Sequence, residues 1–208
     1  KDGWVLAPFK NNMCRTHTNA VYFRWCDWKA GEIRNQTQIG RDYDWCEAVF
    51  LIKGEMRVKY ESESILLHDY GDYAIHDSVR HPKFEILRDC VAIVLRWKSK
   101  YEGKRYGNVS NYTDLYKGWI VGPFVDQSQH PQFYSDELEF KWSIRHEVPY
   151  VRQPKKDSEI ENANWKSLCV LTDGKFNIQF ETELCKMTQQ GNFVYWNPNV
   201  PHINYTDV

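Results

Sequence analysis

A repeat constrains this chain more than any other feature of its sequence. Gly3-Trp4-Val5-Leu6-Ala7-Pro8-Phe9 returns as Gly118-Trp119-Ile120-Val121-Gly122-Pro123-Phe124, an offset of 115. Phe23-Arg24-Trp25 returns as Phe140-Lys141-Trp142 at 117, and the apolar run from Ala48 through Gly54-Glu55-Met56 returns as Leu168 through Gly174-Lys175-Phe176 at 120. Gly71-Asp72-Tyr73 then matches Gly191-Asn192-Phe193 at 120, and His81 matches His202 at 121. Order is kept while the offset drifts by a few residues, as loop insertions would do to a duplicated domain. The expectation is one copy over 1–97, a linker over 98–117 that is rich in Lys, Tyr, Gly, Asn and Ser, and a second copy over 118–208. The second copy ends without a counterpart of Cys90 to Trp97, so it is expected to lack a last strand.

Inside each copy the apolar stretches are short, β-branched or aromatic, and bounded by Gly, Asp or Asn. Ala48 to Ile52, Tyr73 to Ile75, Val91 to Leu95, Val170 to Leu171 and Phe193 to Trp196 are examples. Several short strands separated by polar turns predict an all-β sandwich or barrel. Helical periodicity is scarce, and only Asp157 to Lys166 reads as a short helix. Nine Trp and thirteen Tyr suit strand faces and pockets lined by rings.

Charge excludes some partners. Lys and Arg number 27 against 28 Asp and Glu, so no strongly basic field invites nucleic acid. No run of about 18 apolar residues exists to cross a membrane, and the first residues lack the apolar core of a signal peptide. Cys14, Cys26, Cys46, Cys90, Cys169 and Cys185 form no C-x-x-C pair, which reads as reduced thiols in a cytoplasmic compartment. There is no Gly-rich phosphate loop, no Gly-x-Ser-x-Gly elbow and no His-Glu-x-x-His.

Gly191 to His202 places a turn Gly before a strand, then Pro198-Asn199 at a corner, then a His. It resembles the second motif of the cupins, with Asn199 in place of the corner Gly, an exchange that the tolerance of Asn for left-handed backbone permits. Gly71 to His81 is similar but one residue shorter and without Pro. Glu47 and Gly54 have the Glu-x6-Gly spacing of the first motif, whereas Ser167 stands where the second copy would carry the Glu. The leading Gly-Trp-x-x-x-Pro-Phe segments and Trp28-Lys29-Ala30-Gly31-Glu32 resemble small single-domain cupin-like proteins of obscure function. The resemblance implies two tandem cupin-like β-barrels, each a double-stranded β-helix or jelly roll. It also implies a metal held by a His-x-His pair, a Glu and a later His. The stretches that should hold the pair, Ile39 to Cys46 and Ser158 to Lys166, contain no His, so no metal and no cofactor are expected.

Inward-facing positions near a barrel mouth are the candidate ligand contacts. In the first copy these are Arg24, Trp25, Trp45, Glu47, His76, His81 and Arg96. In the second they are Lys141, Trp142, Arg145, Trp165, Tyr195, Asn197 and His202. Rings would stack on a ligand while Arg, His and Asn meet its polar groups; equally, the Trp residues could be plain core and the Arg residues surface. The expected partner is a small polar metabolite, sugar or nucleotide-like, bound for sensing or sequestration without metal. The alternative is a cupin-fold enzyme, with an irregular metal site at Glu47 and His81 or a His acting as a metal-free base. Family analogy, in which cupin-like barrels pair through edge strands, implies a face-to-face arrangement of the two halves, and a homodimer is a further expectation.

Overall fold

Where the sequence clusters β-branched and aromatic residues the chain is strand, because such side chains pack well on a pleated surface. The computed structural model describes residues 3–7, 17–35, 45–99, 101–113, 116–123, 133–144, 151–152 and 165–206. Among these, the helical content is one turn, α1 (Ser110–Thr113), and the rest of the regular structure is strand. The all-β expectation holds.

Eight strands build the main sheet: β1 (Trp4–Leu6), β2 (Val21–Trp28), β3 (Ile33–Asn35), β4 (Trp45–Lys59), β5 (Ser64–Leu67), β6 (Asp72–Asp77), β7 (Lys83–Lys98) and β8 (Lys104–Asn108). Their order is β1-β2-β7-β4-β6-β8, with β3 added to β7 and β5 to β4. The long strands β4 and β7 slip register between Leu51 and Met56, and such bulges bend a sheet. The bent sheet curls around one apolar cluster. Cys26, Val49, Leu51, Ala74, Ala92 and Val94 face it from one side of the bend, and Met56, Val58, Leu67, Phe84 and Ile86 from the other. Burying each large apolar side chain contributes about 1.5–3 kcal/mol before chain entropy is counted.

Alternation sends the neighbouring residues to the opposite face of the same sheet. There Phe50 meets Phe140 and Trp142 at ring separations of 5.0 and 5.7 Å, and Trp97 meets Phe133 at 6.2 Å. These partners belong to a small sheet of β9 (Trp119–Gly122), β10 (Phe133–Tyr134) and β11 (Phe140–Lys141), ordered β10-β9-β11.

The chain divides into two compact units, Lys1–Ile144 and Arg145–Val208. The segment from Gly118 to Trp142, which opens the second sequence copy, therefore belongs to the first unit, where its rings cover the outer face of the main sheet. The stretch read as a linker is also partly structured: β8 pairs with β6, and the Tyr112 and Tyr73 hydroxyls lie 3.1 Å apart. Its composition hid this, since an edge strand rich in Lys and Gly shows no apolar alternation.

The second unit contains β12 (Val151–Arg152), β13 (Ser167–Val170), β14 (Phe176–Phe180), β15 (Leu184–Met187), β16 (Phe193–Trp196) and β17 (His202–Tyr205). One sheet runs β12-β17-β14-β15 and the other pairs β13 with β16. Leu171, Ile178 and Met187 are their buried core, flanked by Cys169, Phe176, Phe180, Val194 and Trp196. The helix expected over Asp157 to Lys166 lies mostly outside the described residues.

Local geometry recurs at the offsets seen in the sequence. Gly71 N–H donates to the Leu51 carbonyl and Gly191 N–H to that of Leu171, both at 2.8 Å. Asp72 accepts from the His68 and Asp69 amides, and Asn192 accepts from those of Thr188 and Gln189. Trp25 donates to the Gly3 carbonyl as Trp142 donates to that of Gly118, each at 2.9 Å. Gly3 and Gly118 have φ of 71° and 82°, and a Cβ on either would sit 1.9 Å from the carbonyl oxygen of Trp25 or Trp142. Glycine is required at both by backbone approach and by φ together.

Candidate functional site

Register places Glu47 between His76 on β6 and Arg96 on β7, and Arg96 beside Tyr22 on β2. Cross-strand neighbours share a face, so these side chains form one row on the core-facing side of the curled sheet, one step along from Val49, Ala74 and Val94. The row is buried: Glu47 is 3% exposed, His76 0% and Arg96 7%. Charged residues at this depth are rare unless paired.

Their pairing is specific. Arg96 donates through Nε to Glu47 Oε2. Glu47 Oε1 faces His76 Nε2 at 3.5 Å, a loose contact, and Nε2 makes no hydrogen bond of good geometry. His76 Nδ1 lies 3.4 Å from the Tyr60 hydroxyl, with the two rings edge to face. Burial alone would raise the pKa of Glu47, but the Arg96 guanidinium and then His76 outweigh it and hold the carboxyl below its ordinary value. Tyr60 is pushed the other way, well above the usual phenol range, by burial and then by the carboxylates of Glu63 and Glu47.

Tyr60 carries this buried row to a cleft of about 1000 Å³. The cleft is lined also by Asp77, Arg80, His81, Tyr101 and Lys104. Asp77 shapes its wall: its carboxylate accepts from the Gly103 amide at 2.6 Å, from the Arg80 amide at 3.1 Å and from the Arg80 guanidinium. Lys104 pairs with Glu63, and its ammonium stands 4.9 Å from the centre of the Tyr60 ring. The cations of the cleft are thus already matched by carboxylates.

The first-copy candidates separate by strand face. Glu47, His76 and Arg96 come together. Trp45 joins the same face and packs edge-on against Tyr22 at 5.0 Å, and Arg24 stacks on Trp4 at 5.4 Å. Trp25 falls on the opposite face, cross-strand from Ile93. His81 is exposed and lines the cleft, apart from the buried carboxylate of Glu47. Its displacement has a simple cause: β17 pairs His202 with Phe180, and residue 82, a proline, stands 120 positions before His202. The His nearest to that place in the first copy is one residue early and turns outward.

In the second copy Lys141 stacks over Trp119 at 5.2 Å, matching Arg24 over Trp4. Trp142 is core of the first unit, packed on Phe50 and Tyr70. Trp165 is 38% exposed, and Arg145 lies outside the described residues. Tyr195 pairs with Leu168 and projects from the face opposite Trp196, while Asn197 is exposed just beyond β16. His202 packs against Trp196 and Phe180 at 4.8 and 5.9 Å, and its Nδ1 lies 2.9 Å from the Val200 carbonyl oxygen. Asn199 takes φ of 61°, as its place at the corner requires.

Sequence reasoning missed Tyr60, Asp77, Arg80, Tyr101 and Lys104. Tyr60 carried a signal, since it lies 120 residues before Phe180. Tyr101 and Lys104 fell inside the stretch read as a linker. Burial pushes the Cys26 and Cys46 thiols up to about 12, away from the range of a nucleophile.

The donor set differs from the one the resemblance implies for a metal. Glu47, the carboxylate of the first motif, is neutralised by a guanidinium, and a single imidazole faces it. Among the described residues the group of three closely spaced ligating side chains is His68, Asp69 and Asp72, where Asp72 caps its own turn. These residues do not fit a transition ion held by three imidazoles and a carboxylate.

No family model matches the sequence, and no curated protein is similar to it by sequence. Solved structures do resemble the fold. A Pseudomonas aeruginosa protein described as glyoxylate-induced aligns over 99% of this chain and 76% of its own, with a TM-score of 0.61 and 14% identity. A cupin 2 conserved barrel domain protein from Leptotrichia buccalis aligns over 92% and 80%, with a TM-score of 0.56 and 11% identity. AerE from Microcystis aeruginosa aligns over 91% and 83%, at 0.54 and 11%. The fold of this chain is the cupin-type β-barrel fold.

Proposed function

We propose that this protein is a duplicated cupin that binds a small, uncharged polar ligand, a sugar rather than a nucleotide, in the cleft of its first unit. The observation that carries this reading is the buried Arg96–Glu47–His76–Tyr60 row opening onto that cleft. A buried charged row contributes little to stability compared with apolar packing, so its presence points to a use. Duplication is supported by the hydrogen bonds that recur at the sequence offsets and by alignments of single structures to more than nine-tenths of the chain.

The ligand class follows from charge. Arg80 is matched by Asp77 and Lys104 by Glu63, so neither requires an anionic group, while Tyr60 and Tyr101 offer ring faces and hydroxyls of the kind sugars use. Glu47, neutralised by Arg96, has no need of a cation, which favours binding without metal. Sensing or sequestration in a cytoplasmic setting is consistent with free thiols at the five described cysteines. Pairing of two copies through edge strands remains part of this reading.

The test is a titration of neutral monosaccharides and of nucleoside phosphates, followed in amide NMR spectra. Sugars should shift resonances of Tyr60, Tyr101 and Lys104, and Tyr101→Ala should weaken binding about tenfold, the loss of roughly 1.4 kcal/mol expected for one stacking ring. Tighter binding of nucleoside phosphates would overturn the uncharged class.

A further inference from the structure

We propose that Tyr60 is an acid–base group of the cleft, working through His76, so that the site moves a proton on its ligand as well as holding it. This rests on the binding reading above and extends it to chemistry.

A phenol held above its ordinary range stays protonated, and by itself is a poor base. Tyr60 can accept a proton only if its own leaves at the same time, and the acceptor in reach is His76 Nδ1 at 3.4 Å. For Nδ1 to accept, the ring proton must sit on Nε2, the nitrogen facing Glu47 Oε1. Arg96 holds the other oxygen of that carboxylate, which fixes its orientation. Hydrogen bonds of this kind are commonly long before a ligand arrives.

The step balances without a further reactant. The bond from hydrogen to a carbon beside a ligand carbonyl breaks, and its proton goes to the Tyr60 oxygen. The Tyr60 O–H proton passes to His76 Nδ1. The ligand is left as an enolate beside Lys104 and Arg80, and His76 becomes an imidazolium whose Nε2–H faces Glu47. Reversal returns each proton, to the face of the ligand carbon from which it left. Tyr60 touches the ligand; His76 and Glu47 are positioning residues that act through it. The second unit places Phe180 and Trp196 at the corresponding offset of 120, so there the relay is replaced by rings.

Two measurements test this on the full chain. Long-range proton–nitrogen spectra should show His76 with its proton on Nε2, and Tyr60→Phe should shift the Nδ1 resonance; a proton on Nδ1, or an Nδ1 resonance indifferent to Tyr60→Phe, overturns the relay. In D2O, a panel of aldoses and ketoses that bind should lose the proton signal beside the carbonyl. Tyr60→Phe and His76→Asn should slow that loss at least 100-fold, Glu47→Gln less, and Tyr106→Phe, an exposed control, not at all. Phe at position 60 is the residue the second unit carries at its counterpart, and amide spectra verify that each variant is folded. Sugars that bind without exchange overturn this proposal alone. Failure of any sugar to bind overturns it together with the binding reading.

Discussion

The two units solve the same local problem in opposite ways. At one step beyond the apolar core the first carries Glu47 paired cross-strand with His76, and the second, 120 residues on, carries Ser167 paired with Trp196. Tyr60 follows the last residue of β4, and Phe180, 120 residues on, is the last of β14. The first arrangement is polar and buried, which is stable only while each charge keeps its partner; the second is a cluster of Phe180, Trp196 and His202 rings, edge to face or tilted, that needs none. A shared strand frame thus tolerates either a relay or a ring cluster. What differs is the side chain at a few inward positions.

The largest effect should come from breaking the first arrangement. Arg96→Met removes the cation from a buried carboxylate and should cost about 3–5 kcal/mol in denaturant unfolding. The double variant Glu47→Leu with Arg96→Met imitates the apolar solution and should recover most of that loss. If the single variant is as stable as the original chain, the ion pair is not the partner that Glu47 requires.

Next is the ring cluster. Trp196→Ala should destabilise the second unit by about 3 kcal/mol, at the low end for a large ring because the site is only half-buried. Hydrogen exchange at β13, β14 and β17 should speed up, while exchange in β4 and β7 stays unchanged. Acceleration in both units alike would show that the two do not open separately.

Acid separates them more gently. The Glu47 pKa is lowered in the folded state, so its contribution is complete above the unfolded value near 4.5 and is lost as pH falls through the lower, folded value. The first unit should therefore lose stability below about pH 4.5 in a manner that Glu47→Gln abolishes, whereas Ser167 gives the second unit no such term. Acid sensitivity that survives Glu47→Gln would assign it to other carboxylates.

The smallest effect tests where the units agree. Asn192→Ala removes the acceptor for two turn amides and should cost about 1 kcal/mol. Asp72→Ala should cost somewhat more, since Asp72 also accepts from the Asn108 side chain at 2.9 Å. Equal losses would mean that the bond from β8's last residue adds nothing to the turn.

The sequence alone determined the strand class, the turn glycines, the left-handed corner at Asn199 and the recurrence of both turns. Each depends on neighbours a few residues away, and such information is written locally as a Gly, an Asn or an alternating run. It also nominated Glu47, His76 and Arg96, since period-two alternation places polar residues on the face of their apolar neighbours. Only the tertiary structure decided that these three form one row, that His81 turns outward, that Phe133, Phe140 and Trp142 cover the first unit's sheet, and that a stretch with no apolar pattern supplies Tyr101 and Lys104. Those outcomes depend on register between strands 29 to 49 residues apart in the chain, as from Glu47 to His76 and to Arg96. Register is set by bulges and by packing on both faces at once, and no short window of sequence contains it.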